Sequence, residues 1–237
     1  MPEISEAAKT GLHPTQHGLQ SMIESYKRNT SNVYRLRISE LFTNEELCKP
    51  AMRWLDIGAG FGQLVAALRH LLPADAVIEG LEPSERKRLV ASRHGLRLHN
   101  GTLDEFAGGS YDVVSMCNVL SHLPDPGRSI AQIRALLRPG GHLVLLTGNL
   151  ADCKYEDCFG SLNLPDHLVF VGKKTLNRLL TEAGFEIEIL REYKVFFPES
   201  ETARLIKNMV KRLLGRQLRR KNVGPFRDLL VKATVRG

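Results

Sequence analysis

The chain has little cysteine, few aromatic residues and no long apolar run. Its 237 residues include four cysteines, Cys48, Cys117, Cys153 and Cys158. These are too few to staple a chain of this length, so a reducing cytoplasm is the expected compartment. Cys153 and Cys158 stand close enough to suggest a metal clip. No second pair of ligands with metal spacing lies nearby, and no metal is expected. The longest apolar stretches are only as long as a strand, which excludes a membrane-spanning helix. Met1–Gln20 has neither a basic cluster nor an apolar core, so it is not read as a signal peptide. Internal repeats and low-complexity tracts are missing as well.

What is present is an ordinary globular composition, 43% hydrophobic and 25% charged, in a chain long enough to bury a core unaided. The formal net charge of +7 is unevenly placed. From Thr202 to Gly237, eleven Lys and Arg stand against one Asp, which leaves the rest of the chain net negative. Within that tail, Glu201–Lys221 carries Leu205, Ile206, Met209, Val210, Leu213, Leu214 and Leu218 at helical spacing. Three roles fit this basic helix. It can pack its stripe on the domain and show a solvated face. It can meet a membrane surface or a lipid-linked acceptor. It can contact RNA, although no aromatic residues interleave with the basic ones for stacking on bases.

Residues 1–50 read as an N-terminal helical segment or lid, with a helix over Leu19–Phe42. Residues 51–237 read as the main domain, with a basic helical insertion at about 201–221. In the main domain short strands alternate with helices. Strands are expected at Trp54–Ile57, Ala76–Leu81, Leu96–His99, Tyr111–Cys117 and His142–Thr147. Helices are expected at Gln63–Leu71, from Ser84 to about Arg93, and at Pro126–Leu137, the last stopped by Arg138-Pro139-Gly140-Gly141. This order predicts an α/β fold with a mostly parallel sheet and helices on both faces. The ending differs: a helix at Thr175–Ala183 and a strand at Phe185–Leu190 are followed, beyond the basic helix, by a last strand at Asp228–Arg236.

The sharpest motif is Asp56-Ile57-Gly58-Ala59-Gly60-Phe61-Gly62, between a strand and a helix. Glycines there let the backbone turn tightly and approach a ligand, and the helix behind them offers free N–H groups. A dinucleotide loop would carry its third glycine where Gln63 stands. Glu82 ends the next strand, where a carboxylate can accept hydrogen bonds from ribose hydroxyls or simply face water. Gly101-Thr102-Leu103-Asp104 follows the third strand; Asp104 suits an adenine amino group or a helix N-cap. Asn118–Pro126 and Leu137–Gly141 follow in order.

Together these motifs resemble the class I S-adenosylmethionine-dependent methyltransferases over about Arg53–Leu190. The closest look is to the small-molecule branch of ubiquinone biosynthesis and natural products, on Asp166-His167-Leu168-Val169-Phe170 and Leu176–Phe185. The resemblance implies a Rossmann-like open sheet of seven strands with an antiparallel last strand. It also implies S-adenosylmethionine as cofactor, held by Asp56, Gly58, Ala59, Gly60, Gly62, Glu82, Pro83, Leu103, Asp104 and Asn118. The expected activity is methyl transfer to a small molecule, with oxygen favoured and a natural product, sugar or quinone precursor as acceptor. An RNA methyltransferase and a cofactor-binding protein without catalysis are the alternatives.

A hydroxyl acceptor has to lose a proton. His122, just past the fourth expected strand, and His167, in the connection after the fifth, are the candidate bases. Each can instead contact the acceptor or hold its own loop. Tyr26 and Tyr34 are candidates for a lid, or for packing. Asp125 is read as a helix cap.

Overall fold

A computed structural model describes residues 31–152, 167–194 and 227–236. The expectations for Cys153, Cys158, Asp166, Tyr26 and the basic helix at 201–221 lie outside the described residues.

Residues 31–41 are helical (α1). Its Ile38 and Leu41, with Phe42 just beyond, are buried against the sheet. Thr43 then opens a one-turn helix, α2 (Asn44–Leu47), through a reciprocal cap: its hydroxyl accepts from the Glu46 N–H, and Glu46 accepts from the Thr43 N–H.

The remaining elements are β1 (Arg53–Ile57), α3 (Gln63–Leu68), β2 (Val77–Leu81), α4 (Glu85–Ser92), β3 (Tyr111–Cys117), α5 (Pro126–Leu136), β4 (Leu137–Gly148), α6 (Lys173–Glu182), β5 (Phe185–Lys194) and β6 (Arg227–Val235). The N-caps of α4 and α5 are Ser84 and Asp125, whose side chains accept from the Lys87 and Arg128 N–H groups.

The sheet order is β2-β1-β3-β4-β6-β5. β2, β1, β3 and β4 run parallel, and β6 lies antiparallel between β4 and β5. One face packs on α5 and α6 through Ile130, Ile133, Leu176 and Leu180. The other packs on α1 and α3 through Ile38, Leu41, Leu64 and Leu68. The expected α/β sheet with helices on both faces and an antiparallel last strand is therefore present.

Three expectations need correction. The described residues form six strands, not seven. Leu96–His99 makes only an isolated bridge, Leu81 to His99. Its Leu96 and Leu98 are spent on packing against Ala91 and Ala59 of a small cluster at the sheet's edge. The glycines of Arg138–Gly141 do not separate helix from strand. α5 ends at Leu136, and β4 starts at once with Leu137 opposite Tyr111, irregular in register until His142 meets Val113. Finally, α3 stops at Leu68, three residues early.

The sheet also fixes where a ligand can sit. The chain steps from β1 outwards to β2, then returns to place β3 on the other side of β1. This reversal opens a crevice beyond the carboxyl ends of β1 and β3, the usual binding place in open α/β sheets.

Candidate functional site

A cavity of about 160 Å³ lies at that crevice, lined by Tyr34, Asp56, Gly58, Ala59, Gly60, Phe61, Gln63, Leu64, Lys87, Cys117 and Asn118. The glycine loop forms its floor. Gly58, Gly60 and Gly62 all have positive φ, of +67°, +58° and +80°. At Gly58 space also matters: a Cβ there would stand 2.3 Å from Val119 Cγ2. A side chain would therefore be strained and would push the loop off the β3 end. The loop is tied to its neighbour where the Ala59 N–H donates to Leu81 O at 3.0 Å. Gly62 is the N-cap of α3. Asn118 also has a positive φ, +56°, and its N–H donates to Leu146 O at 2.7 Å, which fixes the turn leaving β3.

Two buried acids set the electrostatics. Glu82 is 3% exposed. Its carboxylate accepts from the Gly60 N–H at 2.8 Å and the Ser84 N–H at 3.0 Å. It therefore holds the glycine loop and the start of α4 together, with Lys87 Nζ at 3.9 Å. Asp56 is also 3% exposed. Burial raises its pKa, the hydrogen bond from Ser115 lowers it, and the charge of Glu82 raises it again. The result is a carboxyl pushed up to about 7. Burial, and then the Asp56 charge, push the Cys117 thiol well above its ordinary range, so this wall of the cavity is neutral.

The cavity thus unites Asp56, Gly58, Ala59, Gly60 and Asn118, and Glu82 reaches it through Gly60. The other expected residues stand apart from its lining. Pro83 is exposed, and its carbonyl accepts from Arg88. Leu103 is buried in the main core. Asp104 is on the surface, where it accepts from Gln132 Nε2 and pairs with Arg128.

His122 and His167, 45 positions apart in sequence, come together with ring centroids 4.9 Å apart. Backbone contacts bring them there: the Leu168 and Val169 N–H groups both donate to Ser121 O, at 2.7 and 3.1 Å. The His167 ring also meets the Phe170 ring edge-on. Among the described residues no group of three or more His, Cys, Asp or Glu could hold a metal ion, and no helix is long and apolar enough to cross a membrane.

Sequence reasoning missed Lys87, Cys117 and Ser115. Cys117 ends an apolar strand and Lys87 lies in a run of charges, so neither stands out locally. Tyr34 lines the cavity because α1 is anchored beside it. Arg37 stacks 3.2 Å from the Tyr193 ring centroid, and the Tyr193 hydroxyl donates to Glu40.

A family model described as a methyltransferase domain matches residues 26–189. Among curated proteins, the ubiquinone biosynthesis O-methyltransferase of Aromatoleum aromaticum is 32% identical over 154 residues, 56% of this chain and 64% of that protein. The enzyme of the same name from Marinobacter nauticus is 33% identical over 121 residues, 46% of this chain and 49% of that protein. The chain thus spans about half to two thirds of the length of these relatives. Among solved structures, phosphoethanolamine N-methyltransferase 2 of Haemonchus contortus, in complex with S-adenosyl-L-methionine, matches with a TM-score of 0.63 at 13% identity, covering 87% of this chain and 53% of that one. That likeness shows the shared fold. Every residue lining the cavity falls within the span of the family model, and the chain belongs to the methyltransferase domain family of class I S-adenosylmethionine-dependent enzymes.

Proposed function

We propose that the protein binds S-adenosylmethionine in the crevice beyond β1 and β3 and transfers its methyl group to a hydroxyl oxygen of a small molecule, such as a natural-product phenol, a sugar or a quinone precursor. One observation carries the reading: two buried acids, Asp56 and Glu82, flank a glycine loop whose backbone is held open by positive φ. The acids suit a cationic, hydroxyl-bearing ligand and would repel a phosphate. Asp56 and the backbone around Asn118 would take the amino group. Glu82 would take the ribose hydroxyls, and Asp104, through movement of its surface contacts, the adenine amino group. Bound cofactor supplies a sulfonium methyl for in-line displacement, so positioning can provide much of the rate.

The residues near the acceptor have one proton to move. His122 and His167 sit side by side just beyond the β3 end. Either ring can take the hydroxyl proton as the oxygen attacks, while the other holds the acceptor. The quinone-precursor reading draws on the relatives named as ubiquinone biosynthesis O-methyltransferases. α1, whose Tyr34 lines the cavity, would serve as the lid.

Calorimetry with S-adenosylhomocysteine tests the cofactor site. Glu82→Ala frees the Gly60 N–H and should weaken binding; unchanged affinity in that variant rejects the assignment. Mass spectrometry on a panel of phenols, catechols and sugars then tests transfer. His122→Ala and His167→Ala should each be measured for turnover and cofactor affinity. The histidine that acts as base should lower turnover about 10²–10⁴-fold when replaced, with cofactor affinity unchanged. Full activity in both variants removes the histidines from the chemistry.

A further inference from the structure

Ser115 lies at the middle of β3 directly opposite Asp56 of β1 in the parallel register. Neighbours in register project to the same face of a sheet, so the two side chains meet. The Ser115 hydroxyl is 2.7 Å from Asp56 Oδ1. On its other side, Trp54 Nε1 donates to the same hydroxyl at 2.9 Å. Trp54 and Ser115 are both 0% exposed. The chain of contacts therefore runs from Trp54 and Ser115, both out of reach of water, to Asp56 in the cavity wall.

The direction of this chain follows from chemistry. An indole N–H can only donate, so Ser115 must accept from Trp54. Its single proton is then free to point elsewhere. Two acceptors are available: Asp56 Oδ1 at 2.7 Å and Leu55 O at 3.4 Å. The shorter contact takes it, and holds it more strongly once Asp56 is ionised.

We propose that Ser115, itself held by Trp54, is the positioning residue that presents Asp56 as a carboxylate to a cation in the cavity, specifically the ammonium end of an amino-acid ligand. The proposal rests on the cofactor reading above and deepens it. Asp56 cannot be oriented from its own strand alone, since among the described residues its carboxylate has no hydrogen-bond donor other than Ser115. The groups around it give little help: Glu82 repels its charge, Lys87 is drawn to Glu82, and burial pushes the Cys117 thiol up. Without Ser115, Asp56 would keep its proton to higher pH and lose its fixed rotamer, and the ammonium would lose its partner. The adenosine part of the same ligand carries no ammonium and would be unaffected.

That asymmetry supplies the test. S-adenosylhomocysteine carries both the adenosine and the ammonium; adenosine carries only the first. Ser115→Ala should weaken S-adenosylhomocysteine about 10–100-fold, the range for losing a hydrogen bond to a charged group, and leave adenosine unchanged. In the wild type, S-adenosylhomocysteine affinity should rise with pH as Asp56 ionises and then level off; in Ser115→Ala that inflection should move to higher pH. Ser115→Cys keeps the side chain's bulk and weakens the donor, so it should show the same split if Ser115→Ala fails to fold. Equal losses for both ligands, or no loss for S-adenosylhomocysteine, overturn the proposal. If the wild type binds neither ligand, the cofactor reading itself falls.

Discussion

Asp56 and Asp112 are both buried aspartates on adjacent strands, yet they sit at opposite ends of the sheet and their pKa values are shifted in opposite directions. Asp112, second residue of β3, accepts from Lys49 Nζ at 2.8 Å, from the Arg53 N–H at 2.8 Å and from Arg138 at 3.0 Å. Burial raises its pKa, but these hydrogen bonds and the charges of Lys49 and Arg138 outweigh that and hold it below the usual carboxylate range. Asp56 has one hydroxyl donor and a second acid for a neighbour, and burial wins. The first carboxylate is satisfied by the fold and ties α2, β1 and the start of β4 together. The second is left short of a counter-charge, and the proposed ammonium contact rests on that shortage.

The sharpest way to break this comparison is Asp112→Ala. Breaking a buried ion pair costs about 3–5 kcal/mol. Lys49 and Arg138 are partly exposed and can turn to water, so about 3 kcal/mol is expected by denaturant unfolding. S-adenosylhomocysteine affinity at a temperature where the variant is folded should be unchanged. A stable variant with poor affinity would assign Asp112 to the ligand site instead.

Asp56→Asn should do the reverse. Affinity for S-adenosylhomocysteine should fall about 10–100-fold. The unliganded protein should gain stability relative to wild type at pH 8. Asp56 ordinarily titrates near 3.8 but in the fold near 7, so between those values the native state holds a proton that the unfolded chain has lost. Its contribution is fully present below about pH 4 and is lost as pH rises through 7. Asparagine cannot ionise and escapes that loss. Asp112 has the opposite sign: its contribution is present above the ordinary carboxylate range and lost as pH falls through its depressed value. Thermal melts of both variants from about pH 2 to 8 check the two signs together, Asp112 below about pH 4 and Asp56 above it; an Asp56→Asn protein less stable than wild type at pH 8 contradicts the account.

The smallest stability effect is expected at Asp104. Its pair with Arg128 is on the surface, with both side chains more than half exposed, so Asp104→Ala should change stability by less than about 1 kcal/mol. A loss of cofactor affinity with that small stability change would place it with Asp56, as a ligand residue. No loss leaves it a surface ion pair.

The glycine loop was legible because its requirement is local. Positive φ at Gly58, Gly60 and Gly62 is a property of a few consecutive residues, and so is the placing of an acid two positions before them. β3 was legible over its whole length because burial on both faces leaves a mostly apolar run, interrupted only by Asp112 and Ser115. The start of β4 was not. Arg138–Gly141 has the composition of a turn, and it belongs to β4 only as the irregular step between the Leu137–Tyr111 and His142–Val113 pairs. Leu96–His99 failed in the other direction: it has strand-like residues but only one bridge to β2.

By itself, then, the sequence determined the alternation of strands and helices, the glycine loop and the chemical types of Asp56, Glu82, His122 and His167, since periodicity, backbone freedom and side-chain chemistry are carried by neighbouring residues. Only the tertiary structure decided that Ser115, 59 positions away, holds Asp56, that Glu82 is bound to Gly60, and that two distant histidines share one place. Strand order and register bring those atoms together, and burial there sets whether each carboxylate keeps its proton; both depend on contacts that no local pattern records.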